Sequence, residues 1–243
     1  MKVLGVIPAR YRSSRYPGKP LVELNGKAMV IHVAEKAALA LGAENVIIAT
    51  DDQRIADVVE KAGFQYLLTS DDHPTGTDRL WEVARKREAD IYINIQGDEP
   101  MVDPKDIRRI CSVKKEFTGY VINGMCALAD SEDPASVNIP KVLVNSGNDL
   151  IYMSRLPIPG IKAPGAVRPV YLKQVCIYAF NYDQLRAFGE RGGKAEFEAF
   201  EDIEILRFLD LKIPVKMVYT AGNTLAVDVP EDVSKVEEAL RLG

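Results

Sequence analysis

The chain has 243 residues, of which 47% are hydrophobic and 27% charged, a balance typical of globular proteins. Its formal net charge of −4 argues against a general nucleic-acid-binding surface. No apolar run approaches the roughly 20 residues of a membrane-spanning helix, and the amino terminus does not have the pattern of a secretory signal. The three cysteines are widely spaced and odd in number, which argues against a disulfide framework and against a zinc site. We therefore expect a cytoplasmic protein that binds neither nucleic acid nor a membrane.

Strand-like and helix-like segments alternate along the first half of the chain. The predicted elements are, in chain order, strand 3–8, helix 29–41, strand 46–50, helix 53–62, strand 64–69, helix 77–88, strand 91–95 and a helix that begins at 103–104. Short apolar strands separated by helices predict an α/β fold with a mostly parallel, Rossmann-like sheet. The loops that leave the carboxyl ends of such strands meet at one sheet edge, where ligands bind.

From about residue 120 the pattern changes. The predicted elements are a hairpin over 141–152, a proline-rich loop or flap over 157–169, strand 170–180, helix 196–210, strand 215–219 and a closing helix 230–241. Because the closing elements should pack against the first half, we predict a single domain over 1–243. In it, 131–225 is an inserted β-rich lid region and 226–243 returns to the core.

A cluster of basic residues follows the first predicted strand. The loop between Pro8 and Pro20 carries Arg10, Arg12, Arg15 and Lys19, together with small residues that let backbone N–H groups approach an anion. The spacing of a Walker loop is absent. A solvated basic loop is the alternative, but the position after a parallel strand favours a cradle for a triphosphate or pyrophosphate.

Two acidic residues follow predicted strands far apart in the chain. Asp98 comes directly after Gln96 and Gly97, and Asp228 follows the short apolar segment 226–227. One or two carboxylates together with phosphate oxygens are the usual ligands of Mg²⁺. The alternatives are a loop-capping role for Asp98 and a helix-capping role for Asp228.

Three further segments carry polar groups that suit a ligand. The turn 75–79 combines a helix start with Gly76 and Arg79, which suits a base or phosphate. Arg155 lies beside a rigid proline turn and could bind a carboxylate with two hydrogen bonds. Residues 201–207 place Glu204 and other charged groups at helical spacing, for which a solvated helix face is the alternative.

These motifs together resemble those of the CMP-Kdo synthetases, the 3-deoxy-manno-octulosonate cytidylyltransferase family. The similar segments are, in order, IPARYRSSRYPGKPL, ATDD, HPTGTDRL, INIQGDEPM, YMSRLPIP, YLKQVCIYAF, EDIEILRFL and VDVPED. They run through nearly the whole chain. The resemblance implies a nucleotide-diphospho-sugar transferase fold, a nucleotide-binding part (1–130), an acceptor and dimer part (131–225), and a homodimer.

The resemblance also implies a role for individual residues. Arg10, Arg15 and Lys19 are similar to contacts with the CTP phosphates, and Arg10, Lys19 and Asp98 are the expected catalytic residues. The remaining assignments are Thr75, Gly76 and Arg79 to the nucleotide, Gln96, Arg155, Tyr178 and Glu204 to the sugar acid, and Asp98 and Asp228 to Mg²⁺.

The implied reaction transfers CMP from CTP to the anomeric hydroxyl of 3-deoxy-D-manno-octulosonate (Kdo), giving pyrophosphate and CMP-Kdo for lipopolysaccharide synthesis. Two positions depart from the family pattern: Gln174 stands where histidine is usual, and Ile205 where glutamine is usual. Both are expected on the acceptor side, so an 8-amino octulosonate or a nonulosonic acid could replace Kdo as the acceptor. The sequence is also compatible with a different nucleotide base, and with a non-catalytic nucleotide-binding module.

Overall fold

The structure is a computed structural model, which describes residues 1–12, 16–163, 169–222 and 225–242. The strands are β1 (Val3–Ala9), β2 (Glu23–Leu24), β3 (Lys27–Ala28), β4 (Val46–Thr50), β5 (Gln65–Leu68), β6 (Ile91–Ile95), β7 (Val121–Ala127), β8 (Lys141–Val144), β9 (Leu150–Ser154), β10 (Leu172–Phe180) and β11 (Val215–Tyr219). The α-helices are α1 (Met29–Leu41), α2 (Gln53–Lys61), α3 (Gly76–Lys86), α4 (Pro104–Glu116), α5 (Tyr182–Glu190), α6 (Glu196–Glu201), α7 (Leu206–Asp210) and α8 (Asp232–Leu242). Over these ranges, no helix is both long and apolar enough to cross a bilayer.

One mixed sheet organises the fold. Its order is β11-β7-β10-β6-β1-β4-β5, and β8 and β9 extend it beside β10. The pairs β6/β1, β1/β4, β4/β5 and β11/β7 are parallel, whereas β10 is antiparallel to both β6 and β7. The mostly parallel α/β sheet expected from the sequence is therefore confirmed, with one antiparallel strand between its two parallel parts.

The central strands are buried because both faces of the sheet are covered. Every residue of β4 and β6 is buried, and both strands are rich in the β-branched residues that suit a pleated surface. One apolar cluster packs α1, α2 and α4 on one face, and a second packs α3, α5 and α7 on the other. The sheet therefore forms a rigid base for the loops at its edge.

Several predicted elements differ from the structure. A continuous helix over 196–210 is wrong, because Asp202 adopts a left-handed conformation, with φ of 50°, and separates α6 from α7. The structure also contains β7 and α5, which were not predicted from the sequence. In the predicted flap 157–169, residues 164–168 lie outside the described residues, as does Arg15.

Glu82 anchors the loop between β5 and α3. Its carboxylate accepts hydrogen bonds from the backbone N–H of Ser70 at 2.9 Å, from Lys86 Nζ at 2.6 Å and from His73 Nε2 at 2.5 Å. Burial by itself would raise the pKa of Glu82, but the three hydrogen bonds outweigh it and lower the pKa to about 2. The ionised carboxylate therefore stabilises the folded loop.

We expect Glu82→Gln to lower the free energy of unfolding at about pH 7 by on the order of 3 kcal/mol, since each pKa unit corresponds to about 1.4 kcal/mol. The depressed pKa contributes stability above the unfolded value of 4.5, and this contribution is lost as the pH falls toward 2. The difference between wild type and variant in urea unfolding should therefore shrink at about pH 3. Exposed Glu88→Gln is the matched control, and an equal loss in both variants would contradict the anchoring role.

Candidate active site

An open cavity of about 850 Å³ lies at the carboxyl ends of β1 and β6. Its walls contain all of the predicted site residues that the structure describes. These are Arg10, Lys19, Thr75, Gly76, Arg79, Gln96, Asp98, Arg155, Tyr178, Glu204 and Asp228. Residues from distant parts of the chain therefore meet at the sheet edge that the strand pattern predicted.

The basic loop after β1 is folded back on itself. The backbone N–H of Gly18 donates to the carbonyl of Tyr11 at 2.8 Å and closes the loop. Gly18 has a φ of 72°, which glycine adopts without strain, and an added Cβ would lie 3.3 Å from the Tyr11 ring. The chain then enters a short 3₁₀ turn at Lys19, while Arg10 stays exposed at the cavity wall.

Lys19 lies between the two predicted metal-binding carboxylates. Its Nζ is 2.7 Å from Asp98 Oδ2 and 3.4 Å from Asp228 Oδ1. The backbone N–H of Val227 donates to the carbonyl of Asp98 at 3.0 Å, so the chain segment that carries Asp228 is fixed beside Asp98. The two carboxylates and the ammonium group thus form one charge cluster at the end of β6.

Gly97 permits this cluster to form next to β1. A Cβ at this position would lie 2.7 Å from the carbonyl oxygen of Pro8, closer than real Cβ atoms approach a backbone oxygen. Any other residue at 97 would therefore push the end of β6 away from the loop that carries Arg10 and Lys19.

The donor set of the cluster suits a cation that is bound partly by substrate. Within the described parts of the chain, no group of three or more His, Cys, Asp or Glu side chains could hold a metal by itself. Asp98 and Asp228 supply two carboxylates, and a cation already lies between them in the form of the Lys19 ammonium. Mg²⁺ is typically bound in this way, by one or two carboxylates together with phosphate oxygens and water.

The turn before α3 forms another wall. Thr75 is the N-cap: its Oγ1 accepts from the backbone N–H of Asp78 at 3.2 Å and donates to the Asp78 carboxylate at 2.7 Å. Gly76 follows in the first turn and presents no side chain to the cavity. Arg79 is almost fully buried and donates to Thr69 Oγ1 and Asp51, and burial lowers its pKa.

A buried ion network joins this turn to α6 and α7. Arg207, fully buried, lies 2.9 Å from Asp78 Oδ1 and 2.6 Å from Glu198 Oε1. Glu204, from the break between the two helices, accepts from the backbone N–H of Thr77 at 3.1 Å. Burial raises the pKa of Glu204 although hydrogen bonds to Thr77 and Thr75 oppose the shift. The two sides of the cavity are therefore linked by charged groups.

Arg155 lies on the far wall, and backbone carbonyls occupy part of its guanidinium. Its Nε, Nη1 and Nη2 donate to the carbonyls of Glu201, Val137 and Asp202, respectively. Three of the five N–H groups of an arginine are thus used in holding neighbouring segments together. The sequence pattern around Arg155 gave no indication of these partners.

The remaining predicted residues on the acceptor side divide into two groups. Gln96, Tyr178 and Gln174 line the cavity. The expectation for Ile205 is wrong: its side chain is fully buried in the apolar cluster around α7 and does not line the cavity. A polar residue at 205 would require a buried partner, which explains the apolar side chain there.

Asn94 is a residue near the site that was not predicted from the sequence. It is fully buried in β6 beneath Gly76, and within the described residues neither of its side-chain amide atoms has a hydrogen-bond partner. The only sign in the sequence is a polar residue in the otherwise apolar strand IYINI. Buried polar groups without partners are uncommon, and they concentrate at functional sites.

Comparisons with known proteins agree with the family resemblance of the sequence motifs over nearly the whole chain. The model of the cytidylyltransferase family matches residues 4–219. The 3-deoxy-manno-octulosonate cytidylyltransferase of Escherichia coli is 39% identical over 97% of this chain and 94% of its own length. The enzyme of the same name from Syntrophobacter fumaroxidans is 39% identical over 99% of this chain and 97% of its own length.

A solved structure agrees with this match. It is that of a CMP:2-keto-3-deoxy-manno-octonic acid synthetase complexed with CTP, with a TM-score of 0.92 and 39% identity, covering 100% of this chain and 99% of the other. The expected nucleotide-sugar transferase fold is confirmed by this similarity. Because both the sequence and the fold match over essentially the full length, the chain belongs to the 3-deoxy-manno-octulosonate cytidylyltransferase (CMP-Kdo synthetase) family.

Proposed function

We propose that this protein transfers CMP from CTP to the anomeric hydroxyl of Kdo, releasing pyrophosphate and forming CMP-Kdo for lipopolysaccharide synthesis. The arrangement of Lys19 between Asp98 and Asp228, in a cavity bordered by Arg10, is the observation that carries the proposal. The relatives that share the fold at 39% identity support it, since they are 3-deoxy-manno-octulosonate cytidylyltransferases and a synthetase complexed with CTP.

The chemistry is an in-line displacement at phosphorus. The hydroxyl oxygen of the sugar forms a bond to the α-phosphorus of CTP, the bond to the bridging oxygen of pyrophosphate breaks, and the hydroxyl proton passes to solvent. Such a reaction needs alignment and neutralised charge rather than a covalent nucleophile. We assign the phosphates to Arg10 and Lys19, whose positive charges offset the charge that develops on the leaving pyrophosphate. The turn of Thr75 and Gly76 then holds the nucleoside.

Asp98 and Asp228 are the residues that would hold Mg²⁺. Their two carboxylates leave most coordination positions for substrate oxygens. Bound there, the ion would supply charge neutralisation for the substrate oxygens. Lys19 would then exchange its contact with the carboxylates for one with the phosphates, which keeps its charge balanced.

The acceptor is assigned to the opposite wall. Gln96, Tyr178 and Glu204 present polar groups there, and the N–H groups of Arg155 that do not bind backbone carbonyls suit a sugar carboxylate. Because residues 226–228 return to the end of β6, we propose that the whole chain acts as one domain. A reducing cytoplasm suits the three cysteines, all of which are free thiols.

We also propose that the protein is a homodimer. Several large apolar side chains of the second half are exposed, and an interface with a second copy of the chain would remove them from water. They are Val137, Ile151, Leu156, Phe197 and Phe200.

Asp98→Asn should lower kcat by about 100-fold or more while the dissociation constant for CTP changes less than about fivefold, because the carboxylate would hold the Mg²⁺ that neutralises charge in the transition state. The readouts are pyrophosphate release with CTP and Kdo, and calorimetric titration with CTP. Exposed Asp183→Asn is the matched control, since its surface ion pair with Arg186 contributes little.

Near-normal turnover in Asp98→Asn would refute the metal assignment. Tight CTP binding by the wild type, without pyrophosphate release from Kdo, an 8-amino octulosonate or a nonulosonic acid, would favour a non-catalytic nucleotide-binding module. Release only with one of the latter two would keep the reaction class and change the acceptor.

Removal of divalent cations should abolish pyrophosphate release, and added Mg²⁺ should restore it. Asp228→Asn should need a higher Mg²⁺ concentration for half-maximal rate, because one of the two carboxylates is lost. Full activity of the wild type in excess chelator would exclude the proposed metal requirement.

Phe197→Glu combined with Phe200→Glu should convert a dimer into a monomer, because two charges replace the most exposed rings of the apolar surface. Sedimentation equilibrium measures the mass directly. Leu39→Glu, at an exposed apolar position of the first half, should leave the mass unchanged. A wild type that sediments as a monomer at all concentrations would disprove the dimer.

A further inference from the structure

Asn123 is a fully buried polar residue in β7, and its amide orientation is fixed by its surroundings. Its Nδ2 donates to the carbonyls of Val175 and Ile177 at 2.9 Å and 3.1 Å. The two carbonyls become available to one side chain because the pairing of β7 with β10 shifts register between Val175 and Tyr178. Only an N–H₂ group satisfies two carbonyls, so the Oδ1 of Asn123 must point the other way.

That oxygen accepts a hydrogen bond from Gln174 Nε2 at 3.0 Å. The orientation of Gln174 is set in turn, because an amide oxygen facing Oδ1 would place two acceptors together. Gln174 lines the cavity, and in the part of the chain that the structure describes, its Oε1 has no hydrogen-bond partner. The side chain therefore offers the cavity one acceptor, Oε1, and one remaining N–H of Nε2.

We propose that Asn123 is a positioning residue that fixes Gln174 so that its amide binds a hydroxyl group of the acceptor sugar. The inference rests on the proposed function and deepens it by naming the group that this wall selects. A hydroxyl donates to Oε1 and accepts from the remaining N–H, so both halves of the amide are satisfied.

An ammonium group suits the same position poorly. An ammonium group has donors only, so it would place an N–H group against the remaining N–H of Gln174 and leave that N–H without an acceptor. The side-chain partner that fixes Gln174, Asn123, is itself uncharged. The wall therefore selects a neutral hydroxyl over an amine.

The first test is a double-mutant cycle on the rate of pyrophosphate release. Gln174→Leu should raise KM for Kdo about tenfold and leave KM for CTP within about twofold, because one net hydrogen-bond pair is lost. Asn123→Ala should raise KM for Kdo to a similar extent, but it should have no further effect in the Gln174→Leu background. Gln65→Leu, on the edge strand β5, is the matched control.

A second variant separates positioning from stability. Asn123→Asp keeps an acceptor for Gln174 Nε2 but loses the two donors to β10, so it should be less stable and still have a near-normal KM for Kdo. Among Kdo analogues that each lack one hydroxyl, one should show the raised KM with the wild type and no further rise with Gln174→Leu. An analogue with an amine in place of that hydroxyl should be a worse substrate than Kdo.

Contrary results would overturn different parts of the proposal. Turnover of Kdo that is insensitive to Gln174→Leu removes the hydroxyl contact, although the proposed function stands. Additive effects of the two substitutions, or an Asn123→Asp variant as impaired in KM as Asn123→Ala, remove the positioning role. No pyrophosphate release from CTP with Kdo or any analogue overturns the proposed function and this inference together.

Discussion

The charge cluster of Lys19, Asp98 and Asp228 is the constraint on which the site depends. Two carboxylates in close proximity repel each other unless a cation lies between them, and here the ammonium group of Lys19 does so at 2.7 Å and 3.4 Å. The three side chains come from the loop after β1, from the end of β6 and from the segment before α8. The hydrogen bond from Val227 to Asp98 and the absence of a side chain at Gly97 bring these segments together.

The sheet gives the cavity two walls of different character. The parallel strands β1 and β6 end in loops that carry the cations and carboxylates, as expected for the carboxyl edge of an α/β sheet. The antiparallel strand β10 lies beside β6 and contributes Gln174 and Tyr178, which are uncharged. The proposed sites for the anionic phosphates and for the hydroxyl groups of the acceptor therefore lie on surfaces of matching character. The Arg207 network joins the turn before α3 to α6 and α7, and so fixes these parts of the cavity wall relative to one another.

The sequence predicted β1, β4, β5 and β6, because each is a short apolar run bounded by turn residues, but it did not predict the two-residue strands β2 and β3. It also predicted which loops would meet. It could not predict the insertion of β10 between β6 and β7, since long-range pairing depends on tertiary packing rather than on local pattern. The break at Asp202 was not predicted, because two short helices and one continuous helix share the same apolar spacing. The partners of Arg155 are backbone carbonyls, which no residue pattern reveals.

The segment that carries Val227 and Asp228 contributes to the proposed active site but to none of the strands. Within the described residues all eleven strands lie before residue 220, so a polypeptide cut after β11 would keep each of them. It would nevertheless lose one half of the carboxylate pair and the segment that covers the end of β6. The segment after β11 therefore decides whether the proposed metal-binding pair is complete, and a circular dichroism spectrum that reports the strands does not establish that it is.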